Sequence, residues 1–347
     1  MKIIVAGEWT FDIYEKAMAA AFERLGHQSI AFSVSSFFGN AGRIAGFWNK
    51  LQYKFITGPA VSRLNHAFLQ MIREEQPELV FVYRGNYFLP ATIRTIRESM
   101  GAKVVVYNND DPFGKHPAYM WRNLMDALPY YDHVFAYRQK NISDYAERNI
   151  FHTSLLRSYY RKENNFPIAD LQDRKYVNGI CFIGHYEDDG RDEYLKHLLD
   201  NGVPLNIYGP FWEKSPYYDL FTARMKGPVR SLTSDYNLCI NSNDICLVFL
   251  SHKNNDTYTR RCFEIPATAT CMISVYTDDL NGLFTEDVEA VYFRNKEELL
   301  EKTIYYLDHH KERERIAKAG YERLLADGHE VTNRASQVLA TYHKMNN

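Results

Sequence analysis

Short apolar runs rich in β-branched and aromatic residues recur along this chain, spaced by longer amphipathic stretches, and this rhythm constrains its fold more than any other feature. Ile3–Val5 is followed by the amphipathic Tyr14–Leu25 and Gly26, and Ala60–Glu74 leads into Leu79–Tyr83 and Lys103–Tyr107. Parallel strands need crossovers of a dozen or more residues, so the alternation predicts an α/β protein with helices on both faces of parallel sheets. The sequence turns polar from Arg161 to Tyr176, and the rhythm then restarts. Ile180–Gly184, Leu205–Gly209, Ile245–Leu250 and Met272–Tyr276 read as further strands. Lys296–Leu307, Lys311–Leu325 and Thr332–Tyr342 read as closing helices. The expectation is an N-terminal Rossmann-like domain over residues 1–160, a linker over 161–176 and a second domain over 177–330, with a helix over 331–347 crossing back. Ligands of such sheets sit beyond the carboxyl ends of the strands, so two similar halves should face each other across one cleft lined by those ends.

Charge and cysteine usage narrow the function. Forty-one Lys and Arg against 43 Asp and Glu leave a net charge of -2, which gives no global attraction to nucleic acid. The 5 Cys form no C-x-x-C pair, so no disulfide framework or zinc knuckle is signalled, and a reducing cytoplasm suits them. Met1–Gly7 lacks the form of a signal peptide, and no apolar run reaches the length of a membrane span. No G-x-G-x-x-G follows the first strand, which argues against a dinucleotide dehydrogenase.

The densest polar cluster runs from Leu250 to Glu264, between an apolar strand and a helix expected to start near Phe263 or Glu264 with Pro266 in its first turn. A helix N-terminus beside Arg260 and Arg261 suits a diphosphate, and Asp256 and Glu264 suit sugar hydroxyls. The alternative is a surface loop whose arginines solvate the helix start. Upstream, Phe182–Arg191 reads either as a glycine turn or as an ordinary strand-to-helix turn capped by Asp188, Asp189 and Asp192.

Two stretches resemble the GT-B glycosyltransferases, and within them the CgeB-like, spore-maturation-protein-like group: Thr259–Ala267, and the tail from Glu297 through Ala335. The resemblance covers the last third of the chain and, more loosely, the middle third. It implies two Rossmann-like domains, with a nucleotide-sugar donor on the C-terminal one and an acceptor on the N-terminal one. It further implies that Glu264 meets the donor ribose, Asp256 the donor sugar, and Arg260 or Arg261 the diphosphate. Gly184, His185 and Arg191 would meet the phosphates, and Tyr208 and Gly209 would lie near the base, unless Tyr208 and Trp212 simply fill the core. No D-x-D pair is present, so no metal is expected, nor any cofactor beyond the sugar nucleotide as substrate.

For the acceptor side, the candidates are the loop Gly7–Asp12 and the segment Asn108–His116, with Asp111, Asp110 and His116 as possible bases; an Asx-Pro turn is the structural alternative. From Arg24 to Arg73 there is no Asp or Glu, and residues 43–63 mix Arg43, Lys50, Lys54 and Arg63 with Phe47, Trp48, Tyr53 and Phe55. That mixture suggests a peripheral membrane contact, or a segment packed over the N-terminal sheet. The expected activity is metal-independent sugar transfer, possible with retention, from a nucleotide-sugar to a glycan, lipid-linked or protein hydroxyl. The alternatives are a sugar-nucleotide epimerase on the same plan and a non-catalytic nucleotide-sugar-binding or maturation protein.

Overall fold

The computed structural model describes residues 1–39, 42–169, 171, 179–232 and 234–346. Of the expected linker, residues 170 and 172–176 lie outside the described residues. The chain divides into two compact units, Met1–Ser158 with Val331–Asn347, and Tyr159–Glu330.

Unit 1 runs β1 (Lys2–Gly7), α1 (Glu15–Arg24), β2 (Gln28–Ser33), α2 (Gly42–Phe55), α3 (Pro59–Glu75), β3 (Leu79–Tyr83), α4 (Pro90–Ser99), β4 (Lys103–Asn108), α5 (Arg122–Ala127), β5 (His133–Ala136), α6 (Gln139–Ala146) and β6 (Thr153–Leu155). Its sheet is parallel in the order β2-β1-β3-β4-β5-β6. All five residues of β3 are buried, the mark of a strand covered on both faces. On one face Val80, Val82, Val104 and Val106 share a core with Leu64, Phe68 and Ile72, one turn apart on α3, and with Ile93 and Ile96 of α4. On the other face Phe81 meets Phe22 of α1, with ring centroids 5.9 Å apart.

Unit 2 runs β7 (Ile180–Ile183), α7 (Arg191–Asp200), β8 (Leu205–Tyr208), α8 (Tyr218–Met225), α9 (Tyr236–Asn241), β9 (Ile245–Val248), α10 (Arg261–Glu264), β10 (Cys271–Val275), α11 (Asp278–Leu283), β11 (Val291–Phe293), α12 (Lys296–Asp308) and α13 (His310–Ala326). Its parallel sheet has the order β11-β10-β9-β7-β8. Phe182, Leu247 and Phe293 pack with Leu195 and Leu198 of α7, Leu299 of α12 and Ile316 of α13. Because side chains alternate along a strand, Cys181 and Cys246 point to the opposite face, in register and with Sγ atoms 3.2 Å apart. The last helix, α14 (Val331–Met345), belongs to unit 1 and packs on α1. Arg334, nearly fully buried, donates from Nε to the carbonyls of Arg157 (3.0 Å) and Ser158 (3.1 Å), tying α14 to the end of unit 1's sheet.

Both sheets place their second strand outside the first and their third on the first strand's other side. The direction of winding therefore reverses between β1 and β3, and again between β7 and β9. These are the switch points at which open parallel sheets collect ligands.

Gly320 lies in the middle of α13, where Ala would ordinarily favour the helix by about 1 kcal/mol. Here a Cβ would lie 2.3 Å from the Glu289 carbonyl oxygen, a contact with backbone that side-chain motion cannot relieve. Gly320→Ala is expected to reverse the usual sign and destabilise the protein by about 1–3 kcal/mol, read as a lower denaturation midpoint.

Candidate active site

In unit 2 the loops after β7 and β8 touch. Gly184 N donates to the Tyr208 carbonyl at 2.8 Å, Gly209 N to that of Arg230 at 3.1 Å, and Trp212 Nε1 to that of Gly184 at 2.9 Å. Gly209 has φ 141°, and a Cβ there would come within 2.0 Å of the Gly184 oxygen. The two glycines thus permit this backbone contact between strand ends. Tyr208 and Trp212 are both buried, Trp212 almost completely.

The turn after Gly184 is held by ions. Glu187 is 9 % exposed and accepts from His185 Nε2 at 2.8 Å and Ser251 Oγ at 2.7 Å, so it links the ends of β7 and β9 across the switch point. Burial pushes its carboxyl up, but the His185 hydrogen bond, the Arg191 charge and the Ser251 hydroxyl outweigh burial and hold it at about 2. Arg191, expected as an open cation for phosphates, is instead a clamp. Its side chain is 2 % exposed, with Nε on Asp189 at 2.8 Å, NH1 on the His185 carbonyl at 3.0 Å and NH2 3.4 Å from Glu187. Asp189 does cap the helix start, accepting from Arg191 N at 3.3 Å, but it also pairs with the Arg191 side chain, while Asp192 accepts from Ser215 Oγ at 2.7 Å. His185 remains half exposed at the mouth of this cluster.

The helix expected near Phe263 starts two residues earlier, as the single turn α10, and Pro266 opens a separate 3₁₀ turn, Pro266–Thr268. The two arginines diverge. Arg260 lies over the Tyr159 ring at 5.1 Å, whereas Arg261 reaches over Phe182 of β7, 6.0 Å from its centroid. Arg261 Nε is buried and lacks a hydrogen-bond partner among the described residues. Glu264 is 9 % exposed and accepts from Tyr236 Oη at 2.6 Å. Burial and the Glu264 charge push the Tyr236 phenol up, so Tyr236 keeps its proton and is the donor of that bond. Asp256 N donates to the Ser251 carbonyl at 3.0 Å, closing the loop after β9. A buried carboxylate with a fixed oxygen, a guanidinium with an unspent N–H and a half-exposed imidazole can together bind hydroxyls and an anion.

The unit 1 candidates separate. Asp111 is fully buried, and its Oδ1 accepts from Phe113 N at 2.9 Å and Asn141 Nδ2 at 2.8 Å. It shapes a turn and is not open to an acceptor, which corrects its expected role as a base. Asp110 is one-fifth exposed and pairs with Arg84 NH2 at 2.6 Å. His116 stands edge-on to Trp121, with centroids 5.9 Å apart. Sequence reading missed Arg84, Glu187, Ser251 and Tyr236. A charged residue directly after the apolar run of β3 was the available signal for Arg84.

Residues 191–340 match a sequence family described as "Glycosyl transferase-like". None of the curated proteins matches the sequence. The architecture, an α/β fold with two parallel sheets, is the GT-B glycosyltransferase fold, shared with solved structures at low identity. Sucrose-phosphate synthase from Thermosynechococcus elongatus matches with a TM-score of 0.74 and 11% identity over 99% of each chain. HepE from Anabaena, in complex with UDP and glucose, matches with a TM-score of 0.70 and 10% identity over 99% of this chain and 100% of that one. A Listeria monocytogenes protein assigned as a UDP-N-acetylglucosamine 2-epimerase matches with a TM-score of 0.61 and 11% identity, covering 98% of this chain and 95% of that one.

The Glu187 cluster has a measurable acid signature. Its carboxyl is held at about 2 against the usual 4.5, so its stabilisation is complete above the usual value and is lost as pH falls through the lower one. Glu187→Gln is expected to remove roughly 2–3 kcal/mol at neutral pH and to flatten the decline of stability over that acid window, followed by urea denaturation at stepped pH.

Proposed function

We propose that the protein is a glycosyltransferase that takes a nucleotide-sugar donor on unit 2 and a hydroxyl acceptor on unit 1. The observation that carries this reading is that the single turn α10 presents both Arg261, over Phe182 of β7 with an unspent buried Nε, and Glu264, fixed by Tyr236 of α9. In it Arg261 meets the donor diphosphate, Glu264 a ribose hydroxyl, and Asp256 the sugar; Arg260 serves only if it swings from Tyr159. His185, Gly184 and Gly209 line the phosphate side, and Arg191 holds their turn. Uridine diphosphate sugars are the first donors to try, since HepE and an Escherichia coli trehalose-6-phosphate protein were solved with UDP or a UDP-sugar.

In the transfer, the bond from the anomeric carbon to the diphosphate oxygen breaks while a bond to the acceptor oxygen forms. The electron pair leaves with the diphosphate, and Arg261 stabilises the charge that develops there, so no metal is required for that task. The acceptor proton passes to the departing phosphate in a retaining reaction, or to Asp110 or His116 in an inverting one. The acceptor is a glycan, lipid-linked or protein hydroxyl, in a reducing cytoplasm. The Listeria likeness makes an epimerase the second reading, in which the sugar isomerises before any release.

With a panel of UDP-, GDP-, ADP- and CMP-sugars, one donor is expected to raise the melting temperature and to release nucleotide slowly to water. Glu264→Ala should weaken that donor about 10- to 100-fold, the cost of a charged hydrogen bond. Isomerisation without release would move the assignment to the epimerase, and protection without either reaction would leave a binding protein.

We also propose that α2 meets an anionic bilayer surface. No helix among the described residues is long and apolar enough to cross a membrane. On α2, however, Phe47 is 61%, Trp48 59% and Phe55 42% exposed, beside exposed Lys50 and Lys54. Residues 24–73 contain no acid to oppose an anionic surface, although the side chains of 43–45 lie outside the described residues. The protein should sediment with vesicles of equal parts phosphatidylcholine and phosphatidylglycerol but not with phosphatidylcholine alone, and F47A/W48A should abolish the difference.

A further inference from the structure

We propose that the carboxyl-end edge of unit 1's sheet, at the switch point between β1 and β3, is a built site for an uncharged polyhydroxyl group, a sugar ring or polyol, centred on Arg84. On the transferase reading this would be the acceptor, and only that label rests on it; the binding site stands on its own geometry.

Arg84 follows β3 directly and has φ 66°, a left-handed conformation rare for a long side chain, and Trp9 after β1 has φ 59°. Such residues are strained, and the surrounding structure must over-determine them. It does so here: Arg84 N donates to the Tyr107 carbonyl at 2.7 Å, and Trp9 Nε1 to that of Val5 at 3.0 Å. The strained turn aims the Arg84 guanidinium between strand ends. NH1 lies 3.4 Å from Glu8 after β1, NH2 2.6 Å from Asp110 after β4, and Cζ 5.6 Å from the centroid of the Trp121 ring. The three side chains are 27%, 19% and 20% exposed, partly open to a ligand. Burial works against the charged form of Arg84, but Asp110 and then Glu8 outweigh it and raise the guanidinium above its ordinary value.

The polar atoms at this edge identify the ligand by elimination. Arg84 Nε, Trp121 Nε1, Asn108 Nδ2 and Asn109 Oδ1 are buried without hydrogen-bond partners among the described residues, although Trp121 and Asn108 are only 2% and 4% exposed. Arg84 Nε, Trp121 Nε1 and Asn108 Nδ2 are donors whose burial unmet is costly, so their gathering at one edge calls for a ligand that accepts, and Asn109 Oδ1 for one that donates. The carboxylates of Glu8 and Asp110, already spanning one guanidinium, call for a ligand that donates. An anion can only accept, and two carboxylates against one arginine repel it. An ammonium can only donate, and leaves the orphan N–H groups unmet. A hydroxyl does both, and a ring bearing several presents them in the fixed array that such a site requires.

Saturation-transfer NMR on the full chain, with no nucleotide present, tests this. The probes are glucose, galactose, N-acetylglucosamine and their disaccharides, against glucose 6-phosphate and glucosamine. At least one neutral sugar is expected to bind more tightly than its phosphorylated or amino analogue, and E8Q/D110N should weaken it at least about tenfold. Because that pair also anchors Arg84, Trp121→Phe is measured beside it; it removes one donor and keeps the ring, and should weaken the same sugar several-fold. Tighter binding of glucose 6-phosphate or glucosamine, no binding of any neutral sugar, or binding indifferent to both variants would overturn the proposal. Donor binding to unit 2 is read separately through Glu264→Ala. A chain that binds neutral sugar but no nucleotide keeps this site and ends the transferase reading, whereas nucleotide release without sugar binding does the reverse.

Discussion

Parallel pairing sends the carboxyl end of every strand to the same edge of its sheet, and the chemistry of both units follows from that geometric fact. The strands themselves are nearly all apolar and buried, as in the five-residue β3, and offer nothing to a polar ligand. Charge can enter only where the backbone leaves the sheet. Glu8, Arg84 and Asp110 bring it in unit 1, and Glu187 and Arg261 in unit 2. Both sheets reverse their winding beside the first strand, so the connections that follow on its two sides lead to opposite faces of the sheet.

Cations are handled alike at the two switch points, with one exception. Arg191 and Arg84 each lie between two carboxylates, so each works as a fork that sets the position of acids. Arg261 is different, since it lies over Phe182 and, among the described residues, no carboxylate is paired with it. A guanidinium neutralised by two acids suits a site for hydroxyls, whereas one with no acid paired to it suits an anion. In the proposed reading, the tasks of the two units follow from which arginines are already paired with acids.

Much of the architecture was legible in the residues because it rests on local periodicity. The strands at Leu79–Tyr83, Lys103–Asn108 and Ile180–Ile183 are continuous apolar runs closed by polar or glycine residues, and α12 and α13 carry clear helical spacing. The short strands β5, β6 and β11 are too brief to stand out from their surroundings. The site was harder to read because its contacts are distant along the chain: Arg84 meets Glu8 across 76 residues, and Glu187 meets Ser251 across 64. No spacing rule links such residues. Arg191 is the instructive case, since the acids it clamps, Asp189 and Glu187, lie in the turn just before it. The acidic run was visible, but whether its charge served solvent or the arginine depended on burial, which the residues alone do not disclose.

The helix α14 carries a consequence for how the protein is made. Unit 1 includes the last stretch of the chain, and the buried Arg334 joins that stretch to carbonyls more than half the chain away. A ribosome therefore releases all of unit 2 before unit 1 can be finished. The first-synthesised sheet must wait, with the α1 surface uncovered, until the final helix emerges, so the earliest residues to leave the tunnel are among the last to complete their packing.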